Sequence, residues 1–334
     1  MVSQEIIAAS NRQLPSKLVG VFVGATSGIG EYTLKSFAKH CSYPKAYFVG
    51  RSQPAADRIL GELKTINSNG TYTFIQSDIS LVKNVDAVCA QVLENESFIN
   101  ILVMSQATFL FGMDTAEGVH FPASLLFHSR TRFTLNLLPL LQAAPTLRRV
   151  VSIFTGTKEG PIVNEDLQVR KMSGSPLKLR GQAASCVTLA MEEVAKRAPD
   201  VSFIHDYPGP VRGNMARDGG WFNLTLRVMA GMLGPIFNIP DEVSGDRHVF
   251  LATSARYPAN KTGADGVEVE KGTGIAKGTD GKIGSGVYVV NQVCESGDEK
   301  VVNMLEQLRA EGKNKFVWDF VEGELKRITG KVSM

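Results

Sequence analysis

Between Tyr72 and Tyr207 this chain of 334 residues contains no tyrosine, so its middle third offers no phenol as an acid or base. Cysteine is scarce as well. Cys41, Cys89, Cys186 and Cys294 lie far apart, which excludes a disulfide framework and any paired-cysteine metal site and fits a reducing compartment. The opening residues, Met-Val-Ser-Gln-Glu, lack the basic-then-apolar form of a secretory signal, so a cytoplasmic protein is expected. Charge of one sign is also lacking: the net charge is +3 with no basic stripe, which argues against nucleic acid as a partner. Only one run approaches membrane-spanning length. Residues 221–239 carry a single charge, Arg227, but also Asn223, Gly231, Gly234, Pro235 and Asn238. They interrupt an α/β alternation that a membrane crossing would break. We therefore read no transmembrane segment, but an apolar lid at residues 213–240 over a small-molecule pocket. A peripheral membrane contact is the weaker reading of the same stretch.

Hydrophobic residues make up 43% of the chain, enough for a full core. Strand-like runs at 17–23, 46–50, 71–76, 100–104, 149–154, 201–205 and 286–291 alternate with helix-like segments at 31–40, 53–66, 81–93, 121–141, 176–197 and 241–254. The alternation has no linker-like break and predicts one doubly wound parallel α/β sheet with helices on both faces. The whole chain reads as a single domain. Its core spans residues 17–295, an N-terminal helix lies within 1–14, and a helical tail covers 298–330. Trp318, Phe320 and Leu325 in that tail are available to dock or to dimerise. Residues 261–284, rich in glycine, lysine and aspartate, read as a mobile surface loop.

The first strand feeds directly into Gly24-Ala25-Thr26-Ser27-Gly28-Ile29-Gly30, and a helix follows. Strand, glycine turn and helix in this order suit a dinucleotide pyrophosphate, which sits on free N–H groups at the helix N-terminus. Gly24 allows the turn, Gly28 the approach of phosphate, and Gly30 close packing of helix on strand. The spacing G-x-x-x-G-x-G resembles that of the short-chain dehydrogenase/reductase superfamily, a Rossmann-type fold. Further matches follow in order. The second strand ends at Arg51, where an arginine accommodates a 2′-phosphate and so favours NADPH over NADH. Asp78-Ile79 resembles the family's pair beside the adenine, and Asp206-Tyr207-Pro208-Gly209-Pro210-Val211 its turn beside the nicotinamide. The resemblance covers roughly residues 17–295 and is nearest to a divergent branch common in fungal small-molecule biosynthesis. It implies cofactor contacts from Gly24, Thr26, Ser27, Gly28, Ile29, Gly30, Arg51, Asp78, Ile79, Lys178, Pro208, Gly209 and Val211. No metal site is expected.

A typical member of that superfamily carries an Asn, a Ser and a Tyr-x-x-x-Lys. Here the tyrosine is missing in any register. The preferred alignment places Gly174 at the tyrosine position and Lys178 at the lysine position, and a shift would put Arg180 or Gly181 there instead. Met104-Ser105-Gln106-Ala107 replaces the usual segment after the fourth strand. Ser152 is either the retained serine or its upstream neighbour, in which case Ile153 or Thr155 takes the place. Candidate catalytic residues are therefore Ser152, Lys178, His128 and Tyr207, with Arg130, Lys158 and Lys171 as further donors nearby. Loss of a general acid costs ~10²–10⁴ in rate, which handicaps ketone reduction without excluding it. The expected function is NADPH-dependent oxidoreduction of an apolar biosynthetic intermediate of polyketide, terpenoid or alkaloid type at a non-standard site. The alternatives are a non-redox cyclase or isomerase, including a pericyclic catalyst, that reuses the pocket, or a non-enzymatic NADPH-binding protein. The resemblance also allows a homodimer or homotetramer.

Overall fold

The computed structural model describes residues 2–108, 110–171, 175–211, 238–261, 265–269 and 272–334. Seven strands form one parallel sheet in the order β3-β2-β1-β4-β5-β6-β7. They are β1 (Val19–Val23), β2 (Lys45–Gly50), β3 (Thr71–Gln76), β4 (Ile101–Met104), β5 (Arg149–Ile153), β6 (Ser202–Asp206) and β7 (Val287–Val290). The flanking helices are α1 (Gln4–Asn11), α2 (Gly28–His40), α3 (Gln53–Ile66), α4 (Val82–Asn95), α5 (Ser129–Ala143), α6 (Pro176–Arg197), α7 (Asp241–Thr253), α8 (Glu299–Ala310) and α9 (Lys313–Thr329). This is the Rossmann-type doubly wound architecture that the sequence predicts.

The sheet is covered on both faces, and the strands read accordingly. Every residue of β1, Val-Gly-Val-Phe-Val, is buried, as a central parallel strand requires. At the edge, β3 mixes exposed and buried positions. Val19, Val21 and Val23 join a core with α4, α5, α6 and α9. Phe22 points to the other side and packs with α1, α2, α3 and α7. The strand order reverses between β1 and β4, which opens a crevice at their C-terminal ends. Register aligns that edge: Val23 pairs with Met104, Met104 with Ser152, and Ser152 with His205.

Three expectations change in detail. The long helix at 121–141 is broken into a short turn (Phe121–Ala123), a π turn (Ser124–His128) and α5. The described part of the 261–284 segment is pinned to the sheet rather than loose. Arg149, fully buried, donates to Ser254 O at 3.0 Å and Asp265 O at 3.1 Å, and Val267, Ala276 and Thr279 are buried. The tail docks within its own chain. Val317, Trp318, Val321, Leu325 and Ile328 of α9 are buried, and Arg132 Nη1 donates to Lys331 O at 2.7 Å. Among the described residues, no helix is long and apolar enough to cross a membrane.

Candidate functional site

The chain turns as soon as β1 ends. Gly24 has φ +79° and Gly28 φ +59°, values that L side chains rarely adopt. A Cβ on Gly24 would lie 2.8 Å from the Gln106 nitrogen, and one on Gly30 would strike Ser105 Oγ. Ser105 Oγ itself donates to Val23 O at 3.1 Å. Residues 24–30 are thus drawn against the loop after β4. Ser27, at the N-cap of α2, makes no side-chain cap bond, so the first-turn N–H groups of that helix remain for an anion. Gly24 N and Ala25 N are taken by Val49 O at 3.0 and 3.1 Å. A turn whose left-handed positions are glycines, set before an uncapped helix N-terminus, fits the pyrophosphate of a dinucleotide.

The other expected cofactor residues line the same edge. Arg51 is exposed immediately after β2, and Gln76 Nε2 donates to its carbonyl at 3.0 Å. The Asp78 carboxylate accepts from Ser80 N at 3.1 Å and shapes the turn after β3, while Ile79 is buried in the core. Gly209 has φ +74°. Ile239 N donates to Pro210 O at 2.8 Å, and Val211 bridges to Ile239. The chain therefore leaves and returns at one point on the crevice rim. Most of the expected lid, residues 213–237, lies outside the described residues, as does Gly174.

Two expected catalytic residues are placed elsewhere. Ser152 lies inside β5 and is 1% exposed, and its Oγ accepts from Arg130 Nη1 at 2.7 Å. Arg130 also donates to Met104 O, Gln106 O and Ile153 O at 2.9, 2.7 and 3.0 Å. It is a buried clamp on the ends of β4 and β5, and burial lowers its pKa to about 9. The serine hydroxyl is thus engaged below the crevice floor. Two residues past the strand end is Thr155, whose Oγ1 is buried without a partner among the described residues. His128 does not reach the crevice either. It is fully buried and packs against Phe320 of α9 with ring centroids 5.6 Å apart, and burial lowers its pKa to about 4. The π turn inserts a residue into the helical register and rotates His128 away from the face that an ideal α-helix would give it. Lys178 is exposed in the first turn of α6, and Lys171 is exposed beyond β5.

Residues 154–160 form the corner that sequence reasoning resolves least. Phe154 N and Gly156 N donate to Asp206 O at 2.9 and 3.3 Å, and Gly160 N to Gly181 O at 3.1 Å. A Cβ on Gly156 would collide with His205 O. Within this turn Thr157 has φ +67°, unusual for a β-branched residue. Behind it runs a buried chain. Thr155 N donates to His205 Nε2 at 3.2 Å, Thr188 Oγ1 lies 2.8 Å from His205 Nδ1, and Thr188 Oγ1 donates to Glu159 Oε1 at 2.8 Å. Burial lowers the His205 pKa to about 3 and raises that of Glu159 to about 7. In front, Lys158 Nζ sits 4.8 Å from the centroid of the Tyr207 ring. The sequence signal for this corner is the pair Gly156 and Gly160 bracketing Thr157, Lys158 and Glu159 at a strand exit. Across the sheet, Asp206 Oδ2 meets His248 Nε2 at 2.9 Å, and burial raises the Asp206 pKa.

No protein-family profile matches the chain, whereas curated proteins match over nearly its full length. Oxidoreductase AN1596 of Emericella nidulans is 38% identical over 334 residues, covering 96% of this chain and 97% of that protein. Short-chain dehydrogenase/reductase SAT2 of Stachybotrys chartarum is 29% identical, covering 96% of this chain and 95% of that protein. Among solved structures, a 3-oxoacyl (acyl-carrier-protein) reductase from Agrobacterium tumefaciens with NADP bound superposes with a TM-score of 0.56. It is 15% identical and covers 75% of this chain and 93% of its own. With the glycine cradle, the sheet order and these relatives in agreement, the chain belongs to the short-chain dehydrogenase/reductase superfamily of oxidoreductases.

Proposed function

We propose that the protein is an NADPH-dependent reductase of an apolar small-molecule intermediate, of polyketide, terpenoid or alkaloid type, with a non-standard catalytic site. The observation that carries this reading is the cradle at Gly24, Gly28 and Gly30 with Arg51 at the exit of β2. The cradle takes the pyrophosphate and Arg51 the 2′-phosphate. Thr26, Ser27 and Ile29 complete the loop, Asp78 and Ile79 flank the adenine, and Pro208, Gly209 and Val211 form the nicotinamide side. Lys178 is assigned to the ribose hydroxyls, and Thr155 takes the carbonyl-orienting role expected of serine. The neighbour that holds NADP supports the choice of cofactor, and the apolar composition of residues 221–239 supports an apolar substrate. The chain works as one catalytic unit, and its four free, buried cysteines suit a cytoplasmic setting.

The test is equilibrium binding of NADPH and NADH to the wild type and to Arg51→Ala. NADPH should bind more tightly than NADH, and the substitution should weaken NADPH by ~10-fold or more, equivalent to at least about 1.4 kcal/mol, while leaving NADH unchanged. Equal affinities in both proteins would remove the 2′-phosphate assignment. One observation favours a second reading, a non-redox cyclase or isomerase: the missing tyrosine between Tyr72 and Tyr207. Stoichiometric oxidation of NADPH during turnover separates the two, because only the reductase consumes it.

A further inference from the structure

A reductase without the usual tyrosine needs its proton from another group, and the corner at the exits of β5 and β6 holds one. Tyr207 directly follows β6. Its backbone is fixed by an N–H bond to Val290 O at 2.9 Å, and the turn at Pro208 and Gly209 comes next. Its side chain is half-buried at the crevice edge. Lys158, from the neighbouring strand exit, places Nζ 4.8 Å from the Tyr207 ring centroid.

We propose that Tyr207 and Lys158 form a relocated proton-donor pair, in which the Tyr207 hydroxyl protonates the substrate oxygen and the Lys158 ammonium over the ring stabilises the charge left behind. The inference rests on the reductase reading and deepens it. Tyr207 is the catalytic residue, and Lys158 acts through it as a positioning residue.

The placement of Lys158 is built into the fold. Its turn is tied to β6 through Asp206 O and to α6 through Gly181 O. Gly160 N also donates to Ser185 Oγ at 3.0 Å. Lys158 N donates to Thr155 O at 3.2 Å, which closes the turn around Gly156 and Thr157. Thr157 is held at φ +67° within it, and such strain persists only where the surroundings over-determine it. The adjacent acid, Glu159, is directed inward to Thr188, so the turn sends its acid to the core and its base over the Tyr207 ring. A cation over an aromatic face interacts with the ring's negative quadrupole, and that attraction grows as the ring gains charge. Thr155, at the same strand exit, contributes a hydroxyl with no partner among the described residues, suited to the substrate oxygen.

The substrate carbonyl carbon accepts a hydride equivalent, its π pair moves to oxygen, and the Tyr207 proton completes the alcohol. The carbonyl is reduced and NADPH is oxidised to NADP⁺. The O–H electron pair remains on the Tyr207 oxygen, and solvent restores the proton.

Two measurements test the pair. The first is tyrosine nitration with tetranitromethane, mapped by mass spectrometry with and without NADPH. Tyr43, 57% exposed, is the internal control and should be nitrated in both states. Tyr207 should be nitrated without cofactor and protected with it. Equal nitration of Tyr207 in both states, with NADPH shown to be bound, would overturn the proposal. The second uses 4-nitrobenzaldehyde as the probe acceptor. Tyr207→Phe should retain NADPH affinity and KM while kcat falls ~10²–10⁴-fold. Lys158→Met should lower kcat, and Lys158→Arg, which keeps the cation, should restore most of it. Full turnover by Tyr207→Phe overturns the pair while leaving the reductase reading intact. A wild type that binds no NADPH overturns both.

Discussion

Thr155 donates its backbone N–H to His205 Nε2 at 3.2 Å, and the direction of that bond sets every proton behind it. A backbone N–H can only donate, so Nε2 is the acceptor and the imidazole proton lies on Nδ1. Nδ1–H then donates to Thr188 Oγ1, and the Thr188 hydroxyl proton goes to Glu159 Oε1. The polarity of this chain agrees with burial, which keeps His205 neutral by lowering its pKa to about 3.

The end of the chain is where pH acts. Glu159 Oε2 is buried with no partner among the described residues, and burial raises the carboxyl from 4.5 to about 7. A raised folded-state pKa means that the native protein holds this proton more tightly than the unfolded chain. The resulting stability is fully present below pH 4.5 and is lost as pH rises through about 7. Glu159→Gln keeps the oxygen that accepts from Thr188 and removes the ionisation. The variant should match the wild type in urea unfolding at pH 5 and exceed it at pH 8 by up to about 3 kcal/mol. His205 contributes alike in both proteins and cancels from the comparison. A gap that does not change between these pH values would show that Glu159 ionises as freely in the fold as in water.

Arg130 places a charge in the core with no carboxylate beside it among its hydrogen-bond partners. Its four bonds go to three carbonyls and the Ser152 hydroxyl. Replacement by methionine keeps much of the volume and strands those acceptors. Each buried group left unsatisfied costs about 1–3 kcal/mol, partly relieved by relaxation, so Arg130→Met should lose about 3–5 kcal/mol in denaturant unfolding. Ser152→Ala removes only one acceptor and should cost about 1 kcal/mol. Because Ser152 is engaged below the crevice, that variant should also retain turnover. A catalytic collapse in a well-folded Ser152→Ala would return the serine role to that residue.

Gly30 tests the cradle without touching Arg51. An added Cβ would strike Ser105 Oγ and lie 2.8 Å from Gly24 O, so α2 must move away from β1 and carry its N-terminal N–H groups with it. Gly30→Ala should weaken NADPH by ~10-fold or more and should weaken NADH equally, since both share the pyrophosphate. Titration of each cofactor by tryptophan fluorescence would read this. A loss confined to NADPH would point to the 2′-phosphate instead.

Much of the sheet is legible because parallel strands are short buried runs between helices. β3 and the helices Gln53–Ile66 and Pro176–Arg197 fall at the expected limits. The glycine cradle is legible because its left-handed positions call for glycine. The acid–base corner is not. Its geometry depends on Thr155 meeting His205, 50 positions away, and on Thr157 adopting a conformation that its residue type disfavours. His128 misleads for a different reason: helical periodicity assumes a constant turn, and the π turn at Ser124–His128 breaks it. Arg130 looks like a donor in sequence because nothing local reveals that three carbonyls and a hydroxyl already surround it.

The tail poses the question of docking against dimerising, and Trp318 tests it. Its side chain is 6% exposed within the single chain. Arg197 of α6 lies 4.5 Å over its ring, and its Nε1 donates to Glu322 Oε2 at 2.7 Å. With Val321 and Leu325 it forms part of the core that also includes α4 and α6. A residue buried inside one protomer contributes to that protomer's folding rather than to association. Trp318→Ala should therefore cost about 3–5 kcal/mol in urea unfolding, with the sedimentation coefficient of the folded protein unchanged. Trp318→Phe keeps an aromatic ring beneath Arg197 and loses the N–H, and should cost much less. If Trp318→Ala instead left unfolding unchanged and converted a larger species to a smaller one, α9 would be an interface between copies. The faces of α4 and α6 beneath it would then be covered by a partner.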